Sequence, residues 1–94
     1  MLIRIVRMEF QTEKIPEFLD FFHSKKSLIQ AFDGCLHLEL CRDNRDEHVY
    51  YTLSHWTDEK ALDAYRQSDF FEHTWKYTKT LFSGKAQAFS LMKN

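Results

Sequence analysis

The fold of this chain is decided by residues 54–71, which read SHWTDEKALDAYRQSDFF. This stretch predicts a strand that ends at Trp56, a short helix, a tight turn near Gln67-Ser68 and a second, aromatic helix. Thr57 is the expected N-cap of the first helix, because its hydroxyl can accept a hydrogen bond from a free backbone N–H. Asp69 and Glu72 have the spacing of a capping arrangement for the second helix.

The remaining segments alternate between strand and helix patterns. Residues 2–10, 35–42, 47–56 and 85–92 alternate as strands, and residues 12–34 carry apolar side chains at helical spacing. Gly34 ends that helix, since glycine readily adopts the left-handed conformation that follows a helix. The order β-α-β-β-α-β, with the second helix broken, predicts one α+β domain over residues 1–94 with a ferredoxin-like, antiparallel four-stranded sheet.

Helices on one side of such a sheet leave its other face uncovered. We expect Leu36, Leu38 and Leu40 to face the helices, because helices offer the drier surface. The uncovered face would then carry a mixed and partly aromatic set: Arg4, Val6, Met8, His37, Glu39, Cys41, Tyr50 and Thr52. Two such faces packed about a two-fold axis would be covered, so we expect a homodimer whose sheets form a joint α/β barrel.

Composition and charge exclude several classes of protein. The net charge of −1 gives no field for nucleic acid or an anionic membrane, and no apolar run approaches the roughly 20 residues of a membrane span. The start of the chain lacks the apolar core of a signal peptide. Cys35 and Cys41 would lie about 20 Å apart on one face of a regular strand, too far for a disulfide. Reduced thiols indicate a cytoplasmic protein, and neither the cysteines nor the five histidines have metal-ligand spacing.

The pattern of residues also resembles a known family. A strand ends in Trp56 and is followed by Ala61-Leu62, an aromatic residue and Ser68-x-x-Phe71, and Gly34-Cys35 lies upstream. This pattern resembles the antibiotic biosynthesis monooxygenase family. The resemblance implies the ferredoxin-like fold, the dimeric barrel and oxidation of a quinol-like or polycyclic aromatic substrate by O2 without metal or flavin. It also implies that Trp56 lines a cavity between sheet and helices.

Family members often carry an Asn four residues before this Trp and a Glu two residues before it. Here those positions are Thr52 and Ser54. We therefore expect Thr52 and Trp56 to contact the substrate, together with Phe71 and Trp75, which form an aromatic stripe on the second helix.

Three residues are the main candidates for catalysis, and a fourth is an alternative base. Family members often have a His where this chain has Tyr65, whose hydroxyl is a poor base at neutral pH but a good hydrogen-bond donor. Arg66 could hold a carboxylate or phenolate. His55 is the candidate base because it adjoins Trp56, although its strand parity is opposite to that of Trp56; His37 is a second candidate.

Other functions fit the same fold. One is a binding module without catalysis. Another is an isomerase of a small polar metabolite, which would need Arg4, Arg7 and Arg66 to converge. Haem-degrading proteins similar to the family have an axial His near the position of Trp75 and an Asn where this chain reads Arg7-Met8. Because this chain has neither residue, we expect no cofactor and keep haem binding as a minor alternative.

Overall fold

The computed structural model describes residues 1–94 as eight elements. In chain order they are strand β1 (Leu2–Glu9), a 3-10 turn (Thr12–Lys14), helix α1 (Ile15–Gln30), strands β2 (Cys35–Arg42) and β3 (Val49–Trp56), helices α2 (Glu59–Arg66) and α3 (Asp69–Lys79), and strand β4 (Gln87–Met92). The four strands pair antiparallel in the order β2-β3-β1-β4. This arrangement confirms the predicted α+β ferredoxin-like fold, including the break between α2 and α3.

The helix ends follow local rules, with two corrections to the predicted caps. Asp58, not Thr57, caps α2, with its carboxylate accepting from the Ala61 N–H at 2.8 Å. Ser68, not Asp69, caps α3, accepting from the Phe71 N–H at 3.1 Å. Both residues have the extended backbone typical of an N-cap, because the cap lies just outside the first helical turn.

A bulge near the start of β2 changes which way its first residues point. Cys35 pairs with Trp56 and His37 with His55, so Leu36 is the extra residue. Leu36 is 57% exposed, so its predicted place against the helices is wrong, whereas Leu38 is buried as expected. The bulge also puts Cys35 and Cys41 on opposite faces, correcting the expectation of a shared face; both thiols are free.

The two faces of the sheet are assigned differently from the prediction. Arg4, Val6 and Met8 pair with Ser54, Thr52 and Tyr50, and this whole set lies on the face that Trp56 shares with the helices. The prediction that these residues face outward is therefore wrong. His37, Glu39 and Cys41 do lie on the outer face, as predicted. With them, by strand alternation, are Ile3, Ile5, Tyr51, Leu53, His55, Phe89 and Leu91.

The core has two parts between the sheet and the helices. The larger consists of Met8, Phe10, Phe18, Phe22, Leu38, Tyr50 and Leu81. The smaller consists of Leu2, Trp56 and Leu62, with Tyr65 and Cys35 packed against it. Residues of both clusters line a cavity between the sheet and the helices.

Candidate functional site

A cavity of about 370 Å³ lies between the inner face of the sheet and helices α1, α2 and α3. Its volume falls within the usual range for small-molecule sites. Half of the apolar lining residues are aromatic: Phe18, Phe21, Phe22, Trp56, Tyr65, Phe71 and Trp75. The sheet contributes polar groups as well, namely Arg4, Thr52, Ser54 and Gln87.

Trp56 forms the end wall of this cavity. Its side chain is 1% exposed, and its indole N–H donates to the Ser54 hydroxyl at 2.9 Å. That bond satisfies a polar group that would be costly to bury without a partner. The Ser54 hydroxyl accepts this bond, so its own O–H can still donate a hydrogen bond to a ligand.

Tyr65 lies on α2 against Trp56, with the two ring centroids 5.1 Å apart and the planes inclined by 26°. Phe32 and Phe71 meet the Tyr65 ring edge-on at 4.9 and 5.1 Å. Burial raises the pKa of Tyr65, and the neighbouring Cys35 thiol raises it further. The hydroxyl therefore keeps its proton at physiological pH. It has no hydrogen-bond partner in the chain, and since every fully buried polar side-chain atom has a partner, this hydroxyl is not fully buried. It is thus an accessible donor rather than a base.

Three cationic side chains reach the cavity from different elements: Arg4 from β1, Lys25 from α1 and Arg66 from α2. Arg4 is half-buried and donates to the Ser90 hydroxyl at 2.8 Å. Its pKa is lowered, first by burial and then by the charge of Arg66, while Asp63 acts in the opposite direction. Lys25 lies over the ring of Phe21, 5.6 Å from the centroid. The polar side of this cavity therefore has a positive charge.

The structure brings together most of the residues predicted from sequence. Thr52, Trp56, Tyr65, Arg66, Phe71 and Trp75 all line the cavity. His55 does not, because it lies on the outer face, where its ring is 5.2 Å from that of His37. Its assignment as the base stays a prediction.

Arg4 is a charged cavity residue that was expected on the outer face, together with Val6, Met8 and Thr52. It pairs with Ser54, two residues from Trp56, so counting strand parity from Trp56 would have put it on the inner face. Arg7 lies on the outer side, 3.6 Å from Glu9, so Arg4, Arg7 and Arg66 do not converge.

Two general features of the chain complete this description. No three His, Cys, Asp or Glu side chains converge as a metal site would require. None of the helices has the length and apolar character that crossing a membrane would take.

Comparison with known proteins places the chain in a family. The antibiotic biosynthesis monooxygenase family matches residues 1–77. No curated protein matches the sequence significantly.

Solved structures show the same fold. A conserved protein from Methanosarcina mazei Go1 superposes with a TM-score of 0.92 at 21% identity, covering 100% of this chain and 94% of its own. A structure described as an antibiotic biosynthesis monooxygenase gives 0.91 at 18% identity, covering 100% and 99%. A Mycobacterium tuberculosis protein gives 0.89 at 16% identity, covering 99% and 94%. Together with the family match over most of its length, these likenesses confirm the predicted relationship: the chain belongs to the antibiotic biosynthesis monooxygenase family.

Proposed function

We propose that this chain is a monooxygenase that uses O2, without metal or flavin, to oxidise a quinol-like or polycyclic aromatic substrate. The observation that carries the proposal is the shape and lining of the cavity. Trp56, Tyr65, Phe71 and Trp75 present flat rings around a space of about 370 Å³. Flat apolar walls favour a flat apolar ligand, because ring stacking adds to the burial of its surface.

The chemistry runs through a substrate anion. Loss of a proton from a phenol or enol makes the ring electron-rich enough to transfer one electron to O2. The substrate radical and superoxide then combine into a peroxide, which takes up a proton. Loss of water from the peroxide leaves a new carbonyl, so one oxygen atom enters the product and the other leaves as water. The two hydrogen atoms of that water come from the oxidised substrate.

Different residues of the cavity suit different steps of this reaction. Trp56, Phe71 and Trp75 would exclude water from the radical pair, which protects it from side reactions. The neutral Tyr65 hydroxyl and the Arg66 guanidinium would donate to the substrate oxygen as its charge develops. Thr52 adds a hydroxyl with no hydrogen-bond partner in the chain.

The test is oxygen consumption by chelator-treated protein with a panel of anthrones and quinols, corrected for autoxidation. We expect turnover that falls in Phe71→Ala and Trp56→Ala, with folding checked by circular dichroism. Phe70→Ala is the matched control, because Phe70 lies beside Phe71 on α3 but does not line the cavity. A His55→Ala variant with unchanged turnover would remove His55 as the base. Equal turnover in the wild type and both cavity variants would contradict the site assignment.

One observation favours a second candidate, a binding module without catalysis. Neither His nor a carboxylate lines the cavity, so it contains no conventional general base. A binding module would be stabilised thermally by an aromatic ligand without consuming O2. Thermal shift and oxygen uptake measured on the same compounds separate the two functions.

A further inference from the structure

We propose that the cavity selects its aromatic ligand in the anionic form, as a phenolate or enolate held by the guanidinium groups of Arg4 and Arg66. The inference rests on the proposed function, because it names the substrate class of the same cavity. It also assigns Arg4 a role in determining specificity, where the sequence suggested a binding role for Arg4 only in the isomerase alternative.

The titratable groups of the lining support this selection. They are Arg4, Lys25, Tyr65 and Arg66, all hydrogen-bond donors, and no His or carboxylate lies among them. Tyr65 keeps its proton because burial raises its pKa. A ligand must therefore arrive already ionised or release its proton to water, and the cavity can act only by stabilising the anion.

The two arginines lack the carboxylate partners that a structural role would supply. The four ion pairs of the chain involve Arg7, Lys14, His37 and His48, each with an acidic neighbour. Arg4 makes its side-chain hydrogen bond to the neutral Ser90 instead. Asp63 of α2 is near enough to influence Arg4, but it forms no ion pair with it.

The groups of the protein around Arg4 do not balance its charge. Burial and the neighbouring Arg66 both disfavour the charged guanidinium, and only Asp63 favours it. An anionic oxygen between Arg4 and Arg66 would offset both effects, since opposite charges stabilise each other strongly where water is partly excluded. A neutral ligand would displace water from the guanidinium groups without replacing the lost interaction.

The ligand that meets both requirements is a flat aromatic body with an anionic oxygen. Stacking against Trp56 and Phe71 would hold the ring, and the oxygen would point toward the arginines. A phenolate, an enolate and a carboxylate share this chemistry. We favour the phenolate or enolate, because its charge is delocalised into the ring that the proposed reaction oxidises.

The test uses 7-hydroxycoumarin, because its phenol and phenolate forms absorb at different wavelengths. We expect the pKa of the bound ligand to be lower than that of the free ligand by about one unit or more, which corresponds to a tenfold preference for the anion. Arg4→Gln and Arg66→Gln should each remove most of this shift, while Arg4→Lys should keep part of it. Arg7→Gln removes the same charge from the outer face and should leave the shift unchanged.

Two further ligands identify what is recognised. 7-Methoxycoumarin cannot ionise and should bind at least about tenfold more weakly than the phenolate. Coumarin-3-carboxylate has a fixed charge, and binding tighter than that of the phenolate would overturn the preference for a ring-delocalised anion. Absence of binding by all three, a bound pKa equal to or above the free value, or a shift equally sensitive to Arg7→Gln would overturn the proposal.

Failure of this inference is distinguishable from failure of the proposed function. A lowered ligand pKa without oxygen uptake on any anthrone or quinol supports anion selection and rejects the oxygenase. Oxygen uptake that is unaffected by Arg4→Gln, with no shift in the pKa of bound 7-hydroxycoumarin, supports the oxygenase and rejects anion selection.

Discussion

Tyr65 stacks on Trp56 with ring centroids 5.1 Å apart and planes inclined by 26°. Trp56 is the last residue of β3, and Tyr65 is in the last turn of α2. The pair therefore joins the end of a central strand to the helix that closes the cavity. Cys35 and Leu62 pack around the same rings, so the cavity wall is also part of the smaller core cluster.

Trp56→Ala should cost about 3–5 kcal/mol of unfolding free energy, as is usual for removal of a buried aromatic side chain. Trp56→Phe keeps a ring in place and loses the hydrogen bond to Ser54, so we expect a smaller cost. Urea unfolding followed by circular dichroism measures both. Leu28→Ala, on an exposed part of α1, is the control and should change stability by less than about 0.5 kcal/mol. A Trp56→Ala variant as stable as this control would show that the stack contributes little.

Tyr65 should make the protein less stable at alkaline pH. Its folded pKa is raised above the unfolded value of about 10, so the stabilisation is fully present below that pH. Above it the unfolded state releases the proton first, and stability falls by at most about 1.4 kcal/mol per pH unit. Tyr65→Phe should lose this part of the pH dependence, and Tyr51→Phe should keep it. Denaturant unfolding between pH 8 and about 11 gives the comparison, and identical slopes in the two variants would contradict the prediction.

Gly34→Ala should destabilise the fold by at least about 2 kcal/mol. Gly34 has a φ of +84°, and an added Cβ would lie 2.4 Å from the Ala61 Cβ and 2.8 Å from the Thr57 hydroxyl. Strain in the left-handed region and a clash with α2 therefore act together. Gly84→Ala is the matched control, because φ there is not positive and the nearest atoms, on Glu9, are 3.5 Å away. Equal thermal midpoints for the two variants would show that the loop relaxes freely.

The secondary-structure elements and their order could be predicted from the sequence. Period-2 alternation in the strands, the position of Gly34 and the break near Ser68 are local signals, and each reports on a few neighbouring residues. The resemblance to the family pointed to Trp56 and Tyr65, and the helical spacing of the aromatic residues pointed to Phe71 and Trp75; all four line the cavity.

Strand alternation could not decide which face of the sheet meets the helices. It groups Arg4 with Val6 and Met8 but does not give that group a direction. The inner face lines a cavity and therefore contains polar residues such as Arg4 and Thr52. This polarity is the reason that the face was expected to be the outer one. The prediction for Leu36 was wrong for another reason. The bulge between Cys35 and His37 breaks the strand alternation, and no glycine or proline within the bulge signals it in the sequence.

The outer face of the sheet should form the interface of a homodimer. Phe89 and Leu91 on β4 are 50% and 47% exposed, and Ile5 lies between Phe89 and Leu53 in the strand register. A second copy would bury this apolar surface, which a sheet covered on one side leaves in water. We expect sedimentation equilibrium to give twice the chain mass for the wild type.

Ile5→Glu tests this arrangement at the centre of the face. A carboxylate there would be taken out of water among the apolar side chains of Leu53 and Phe89 in the interface, so we expect a monomer with unchanged circular dichroism. Leu28→Glu adds the same charge on exposed α1 and should remain a dimer. A wild-type monomer would contradict the dimer directly. A dimer that persists in Ile5→Glu and dissociates in Leu28→Glu would move the interface to the helical side, where it would cover α1 instead of the sheet.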